Sequence, residues 1–475
     1  MNGSATHSGL AELKALSSII QDAVKSIESS VIAQNADFPS LHTPMTPESE
    51  AARKLPGVEQ ATAQIVAAAY QLMQSARAPA STAVAVALQY TLCAALGVAT
   101  TANVAEALTE AGPKGAHVND LAKASNIDAA KLARVLRLLA TNHIFTEISP
   151  DVFTHNRISS SLDTGKSVKD ILASPKSKHD GTTGIAAVIG HVTDEALKTG
   201  GYLEDALFDP KIAKSYDPTE TAFNLAFNTK LSAWQWLETP ENAHRLTRFG
   251  LAMRGARQAT SPDAILDGFG WKSLAQDALV VDVGGGIGSQ TVKIAQNNAH
   301  LRFVIQDREP VTKDAAVFVS SEVPGALESG RIKLQPHDFF AAQPVKNAAV
   351  FLLRNIIHDW PDKESVQILR SLRDAAAPET QLVVVDNLMS YACEDKAEEG
   401  VPGAQLPAVP SPLLPNMGHA ASPAYSADIQ MLEFFNGQER TISQLRELLV
   451  QAGWKLVGVH RSPAMGASKA FAVPA

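Results

Sequence analysis

The sequence predicts an α/β protein whose C-terminal half is a mostly parallel sheet of seven strands, preceded by a mainly helical half. Three observations carry this. From residue 279 onward, short apolar runs alternate with helical stretches, which implies parallel strands joined by crossover helices. The first run, Leu279-Val-Val-Asp-Val-Gly-Gly-Gly-Ile-Gly-Ser289, passes straight into a glycine turn and then a helix. Upstream of residue 260 the pattern is helical with several breaks, and only residues 144–154 read as a small β wing.

The glycine turn is the most informative stretch. Leu279, Val280, Val281 and Val283 read as a strand buried on both faces. Gly284, Gly285, Gly286 and Gly288 follow at once. Glycine permits φ > 0 and lets a ligand lie against the main chain. The helix at 289–299 then turns its N-terminal N–H groups and positive dipole end toward the turn, which suits an anion or a zwitterion. A dinucleotide fingerprint requires G-x-G-x-x-G. Here the spacing is G-x-G-x-G at 284, 286 and 288, with Asp282 two residues upstream. That form is typical of a site for S-adenosylmethionine; the alternative is a Gly-rich connection in some other α/β protein. The second run ends in Asp307, where an acid can accept hydrogen bonds from ribose hydroxyls. Asp307 can equally cap the helix before Pro310.

The remaining strands are expected at 331–335, 348–353, 381–386, 455–460 and 469–473, after 279–283 and 302–306. Further helices are expected near 310–319, 362–377 and 441–452. Residues 391–424 interrupt the alternation. Six prolines among Gly, Ala and Ser make this stretch a loop or a disordered insertion.

Composition bounds the function classes. A chain of 475 residues exceeds one ordinary core, so two domains are expected. We divide it into an N-terminal extension (1–55), a winged-helix-like domain (56–165), a helical pocket segment (166–260) and the α/β domain (261–475). A net charge of −8 argues against a nucleic-acid partner. Two cysteines, Cys93 and Cys393, leave no disulfide framework or cysteine metal site, and no metal-ligand spacing is visible. No signal peptide is expected, nor an uninterrupted apolar stretch of the roughly 18–20 residues that span a bilayer. The expected address is the cytoplasm.

In chain order, residues 10–32 have helical periodicity and 42–50 are a Pro/Ser/Thr-rich loop. Residues 56–78 form an alanine-rich helix. Residues 80–98 read as one strongly apolar helix that needs covering, either as core or as a dimer surface. Residues 118–125, the turn at 126–128 and a helix at 129–142 capped by Asp128 precede the β wing. This winged-helix pattern has two readings: DNA binding through Lys131, Arg134 and Arg137, or a structural, dimerising module. The acidic composition favours the second. Farther on, Phe223, Phe227, Trp234, Trp236, Phe249 and Met253 crowd together in sequence. Each can be plain core; together they can wall a pocket for a flat apolar ligand.

The chemistry-bearing residues fall at strand ends, where open α/β sheets bind ligands. Strand 348–353 runs into Arg354-Asn-Ile-Ile-His-Asp-Trp-Pro361. His358 there can be neutral at pH 7 and take a proton. Asp386 ends the next strand, and Glu439 precedes the helix at 441–452. A carboxylate accepting from one ring nitrogen fixes the tautomer and frees the other as a base.

Taken in order, Asp282-Val-Gly-Gly-Gly-Ile-Gly288, His337-Asp-Phe-Phe340, Arg354 with His358-Asp-Trp-Pro-Asp362, and Gly437-Gln-Glu-Arg-Thr441 resemble the small-molecule O-methyltransferases of plants and fungi. These are the caffeate, flavonoid and hydroxyindole type, and the fungal polyketide and phenol branch is the most similar. The resemblance spans roughly residues 80–475. It implies a Rossmann-like class I methyltransferase domain behind a winged-helix dimerisation domain, hence a homodimer. It implies that the glycine loop, Asp282 and Asp307 hold the amino-acid and ribose parts of S-adenosylmethionine. Asp338 and Phe339 would flank the adenine, with Arg354 where the family often has lysine. His358 matches the general base, and Asp386 and Glu439 the two carboxylates that orient it. Phe223, Phe227, Trp234, Met253 and Trp360 are the expected acceptor contacts. Two departures stand out: Asp386 is one methylene shorter than the usual glutamate, and the insertion at 391–424 is much longer than in plant members.

The implied reaction methylates a phenolic or polyketide hydroxyl of a small aromatic acceptor. Competing readings are a winged-helix ligand-sensing regulator, a catalytically inactive relative, and an N- or C-methyltransferase. The set His358, Asp386 and Glu439 favours the enzyme, since a sensor needs no base.

Overall fold

The computed structural model describes residues 9–256, 263–395, 400–462 and 468–475. Residues 396–399 of the insertion and the expected boundary at 260/261 lie outside the described residues. The C-terminal half is a seven-stranded sheet: β1 (Leu279–Val283), β2 (Arg302–Asp307), β3 (Ile332–Pro336), β4 (Val350–Arg354), β5 (Gln381–Asp386), β6 (Trp454–His460) and β7 (Ser468–Pro474). The spatial order is β6-β7-β5-β4-β1-β2-β3. β1 to β5 are parallel to one another, while β7 runs antiparallel to β5 and to β6.

Alternate residues of each central strand feed two separate apolar layers. Val281, Val283, Phe351, Leu353, Leu382 and Val384 pack on the face covered by helices Asp362–Arg373 and Ile442–Gln451. Val280, Ile305, Val350, Leu352, Val383 and Val385 pack on the opposite face, with Val292, Ile294 and Ala295 of helix Ser289–Asn297 and Val319 of helix Glu309–Glu322. Side chains alternate across a strand, so an unbroken apolar run is what a sheet covered on both faces requires. The order reverses beside β1, and the ends of β1 and β4 face the crevice this creates.

The N-terminal half is helical around a small wing. Asp128 caps helix Ala129–Thr141 through the Lys131 N–H at 2.9 Å. Strands Ala116–His117, Val152–Thr154 and Thr146–Ser149 form an antiparallel sheet. Arg137 is tied back to that wing, with ion pairs to Glu147 at 3.3 Å and Asp151 at 2.6 Å. A guanidinium committed to its own domain favours the structural reading of the basic stripe over a phosphate-binding one.

Three expectations need correction. Residues 80–98 are not one helix: Pro79–Ala87 and Gln89–Thr101 meet at a turn at Leu88. The stretch Pro79–Thr101 is also long and apolar enough, by length and composition, to cross a bilayer, contrary to the expectation that no stretch is. It lacks charged residues, and polar Ser, Thr and Gln dilute its hydropathy without abolishing it. Finally, the stretch at 391–424 is not loop to its end. Ser422 and Pro423 open helix Ser422–Phe435, because proline at the first turn loses no needed N–H and pre-sets φ.

The described part of the insertion fastens to the N-terminal helices. Leu413 packs with Leu16, Ala67 and Ala68, and His419 stacks on Tyr70 with ring centroids 3.7 Å apart. The Gln71 amide donates to the Pro412 carbonyl at 3.1 Å.

Candidate active site

The cofactor end starts at the glycine turn. Gly284 and Gly288 hold φ of +66° and +83°, where a side chain is disfavoured. A Cβ at either would also meet Ile356 or Ile305 at 2.5 Å. Gly286 differs: its φ is +59°, and a Cβ there would enter open space. That space is bordered by Asp307 at the end of β2, whose Oδ2 accepts from the Gly286 N–H at 2.8 Å. Its Oδ1 accepts from the Arg308 N–H at 2.8 Å, so Asp307 anchors the turn without capping the next helix, whose cap position is Arg308. Burial raises the Asp307 carboxyl above its ordinary range, against the two backbone hydrogen bonds. Asp282 lies beneath the loop, under Gly285, and its Oδ2 accepts from Thr291 Oγ1 at 2.7 Å. It shapes the turn from behind. Phe339 packs near Gly284, while Asp338 is exposed and accepts from the Phe340 N–H at 3.0 Å.

The segment after β4 links this end to a second cavity. Ile356 touches the glycine turn, and Arg354, Asn355, His358 and Asp359 line a cavity of about 340 Å³. Its walls include Phe223, Trp234, Leu237, Phe249 and Met253 from the helical segment, and Met431, Phe434 and Phe435 from helix Ser422–Phe435. Phe227 and Trp360 are not among the lining residues. Phe227 sits behind Phe223, at 4.8 Å between centroids, and Trp360 packs edge-on against Phe340 at 4.7 Å. Phe227 thus backs a wall residue, while Trp360 packs with Phe339 and Phe340, which do not line this cavity.

His358 occupies the short turn Ile357–Asp359. Its Nδ1 lies 2.9 Å from Glu439 Oε1, which also accepts from Asn387 Nδ2 at 2.8 Å. Its Nε2 is 3.5 Å from Asp359 Oδ1. Asp386 makes no hydrogen bond to His358; its Oδ1 is buried without a partner, and it acts on the ring through charge alone. The expected pair of orienting carboxylates is thus one direct carboxylate, Glu439, and one remote one.

Electrostatics at this turn are strong. Burial pushes the imidazole down, but Asp359, Glu439 and Asp386 outweigh it and raise His358 to about 10. Burial raises Asp359 to about 6 and Asp386 to about 7, with the imidazole opposing. Linkage gives opposite signs. The raised His358 stabilises the fold below its ordinary 6.5, and that stabilisation is lost as pH rises through about 10. The raised carboxyls cost stability increasingly from their ordinary range up to about 6 and 7.

Two further residues hold the turn and have no role assigned by sequence reasoning. Arg440 donates to the carbonyls of Ile357 at 2.7 Å and Trp360 at 2.9 Å, and pairs with Asp362 at 2.8 Å. Asp428 accepts from the Glu439 N–H at 2.8 Å. Adjacency was the available signal: Arg440 follows Glu439, as Asp359 follows His358.

Comparison with known proteins decides the family. Residues 215–406 match the model for an O-methyltransferase domain, and 84–165 the model for an O-methyltransferase dimerisation domain. An O-methyltransferase of Armillaria gallica is 44% identical over 94% of both chains. The 4-O-methyltransferase 1 of Phanerochaete chrysosporium is 42% identical over 95% of this chain and 96% of its own. The chain belongs to the O-methyltransferase family. It is an S-adenosylmethionine-dependent O-methyltransferase of the plant and fungal type, with a class I methyltransferase domain behind a helical dimerisation domain. Among solved structures, OxaC in complex with sinefungin and meleagrin superposes with a TM-score of 0.67 at 20% identity, covering 96% of this chain and 99% of that one, which bears on the fold alone. The cofactor of the family is S-adenosylmethionine, and the open space at Gly286 beside Asp307 is a cradle that fits it. Glu439 lies beyond the matched 215–406, so its role rests on the geometry above.

Proposed function

We propose that this O-methyltransferase methylates a phenolic hydroxyl of a flat aromatic or polyketide acceptor, with His358 as general base. The observation that carries the reading is the His358 imidazole, held by Glu439 at Nδ1 and lining an aromatic-walled cavity beside the glycine turn. S-adenosylmethionine, held by the glycine loop, Asp307 and Phe339, supplies an activated methyl group when bound. The chain's own contribution is to align the acceptor and remove its proton. Glu439, accepting at Nδ1, leaves Nε2, which lies 3.5 Å from Asp359 Oδ1, as the ring nitrogen that can take the acceptor's proton. A phenol titrates near 10, like tyrosine. A base raised to about 10 makes that proton transfer nearly balanced in energy. The test is mass spectrometry of a phenol panel incubated with the protein and S-adenosylmethionine. A gain of one methyl on a hydroxyl supports the reading. Methylation only at nitrogen or carbon would replace it.

Two variants probe the base. Only the neutral imidazole takes a proton, so kcat/KM should rise with pH. Asp359 makes the largest of the raising contributions at His358, so Asp359→Asn is expected to move that rise to lower pH. A pH–rate profile with an unmoved limb would remove Asp359 from the base's electrostatics. Glu439→Gln is expected to cost at least ~10-fold more kcat than Asp386→Asn, since only Glu439 bonds the ring. Equal losses would restore Asp386 as a direct orienting group.

The exposed face of 79–101 fits the same reading. Val84 is 59% and Tyr90 62% exposed, and the dimerisation-domain match begins within this stretch. We read it as the surface covered by a second copy in a homodimer, in place of a membrane span. The turn at Leu88 and the burial of Ala95 and Ala99 in the domain core agree with that.

A further inference from the structure

The acceptor cavity contains a second histidine–carboxylate pair that methyl transfer does not require. His191 closes helix Ile185–His191, and the next turn, Val192–Ala196, is a π-helix. Such turns insert an extra residue and occur preferentially at functional sites. Here the π-turn carries Asp194 and Glu195. His191 and Glu195 both line the cavity. The His191 ring is fixed edge-on to Phe249, with centroids 5.3 Å apart, and lies 5.8 Å from Phe434. Its Nδ1 is 3.1 Å from Glu195 Oε2.

Glu195 is not a stray carboxylate. Its Oε1 accepts from Arg245 and Arg248, and Asp194 Oδ2 accepts from the same two at 2.6 and 2.8 Å. Two guanidiniums thus face two carboxylates, so Glu195 stays ionised in an almost fully buried position. An ionised carboxylate only accepts, so His191 Nδ1 carries the proton. In the neutral ring Nε2 is then an acceptor. Among the described residues it has no protein partner, although the side chain is nearly buried. The ring lines the cavity, so Nε2 is available to a group bound there. Four charged side chains and a π-turn fix a ring whose Nδ1 is bonded to Glu195 and whose Nε2 has no protein partner among the described residues.

We propose that His191 Nε2 is an anchoring point for the acceptor, accepting a hydrogen bond from a second hydroxyl group. The substrate class narrows accordingly to flat aromatics bearing at least two hydroxyls. One is presented to His358 and one to His191. This rests on the reading of the cavity as the acceptor chamber. A hydrogen bond of this kind adds roughly 0.5–1.5 kcal/mol, or about 2- to 12-fold in affinity. A hydroxyl-reading site also discriminates strongly against analogues lacking the group, because its own polar atom is left unpaired.

The test compares 2-naphthol with the 2,3-, 2,6- and 2,7-dihydroxynaphthalenes, binding to the full chain by calorimetry without methyl donor. At least one diol is expected to bind about 3- to 10-fold more tightly than the mono-ol. His191→Phe should abolish that preference while keeping 2-naphthol affinity, because the aromatic contacts remain. His191→Gln, which places an amide near the Nε2 position, should restore part of it, which a merely structural role would not. A wild-type protein without preference, or a preference that survives His191→Phe, would overturn the proposal. Because no donor is present, the result is independent of turnover. Failure of every phenol to gain a methyl would defeat the proposed reaction and leave this comparison intact.

Discussion

His358→Ala is expected to lower kcat by roughly 10²–10⁴-fold, the usual contribution of a general base, with little change in affinity for S-adenosylmethionine. The asymmetry follows from position. His358 faces the acceptor cavity, whereas the neighbour that touches the glycine turn is Ile356. Removing the imidazole therefore leaves the cofactor cradle intact. It also leaves the Glu439 carboxylate buried with only the Asn387 amide beside Oε1, so some stability should be lost as well. The measurement is kcat from saturating pre-steady-state mixing, alongside cofactor titration by calorimetry. Turnover within threefold of wild type would exclude His358 as the base, whatever the stability. The residual rate should lose the alkaline rise expected of the wild type, since the group that titrates is gone.

Gly437→Ala is expected to cost about as much activity from outside the cavity. Gly437 packs directly on the turn that carries His358: a Cβ there would overlap the His358 carbonyl oxygen and lie 2.8 Å from the Asp359 carbonyl carbon. These are backbone atoms, so no side-chain rotation relieves the clash. The Gln438 N–H donates to that same His358 carbonyl at 2.8 Å, locking the two segments together. Overpacking of this kind costs ~1–3 kcal/mol, and the turn must shift to accept it. A displacement of about 1 Å in a catalytic group can cost ~10²-fold. The expected outcome is a lower melting temperature together with a ~10²-fold loss of kcat and unchanged cofactor affinity. Wild-type kcat would mean that the turn moves without consequence, and that His358 needs no such placement.

Much of the fold and of the site could be read along the chain. Glycines at 284, 286 and 288 between an apolar run and a helix signal a ligand cradle, because glycine takes positive φ at least cost and, at 284 and 288, leaves room for Ile356 and Ile305. Apolar runs such as 279–283 and 381–386 signal strands covered on both faces, because alternate residues must enter two layers. His358 and Glu439 stand out at a strand end and before a helix. These features are local, set by backbone sterics and side-chain period.

Other features depend on which segments meet, and no local signal carries them. Glu439 bonds His358 across 81 residues while Asp386, at the end of β5, does not. Phe223 and Phe227 are alike in sequence, yet only Phe223 lines the cavity, because depth is a tertiary property. The helix after the insertion supplies Met431, Phe434 and Phe435 to the cavity, while the insertion before it packs on the N-terminal helices. His191 is unremarkable in the sequence; packing against Phe249 and a paired network of four charges aims it into the chamber. The sequence by itself therefore determined the parallel sheet, the glycine cradle and the presence of a histidine after the fourth strand. Tertiary structure alone decided which carboxylate bonds His358 and which side chains line the cavity, because side chains distant in sequence become neighbours only through packing.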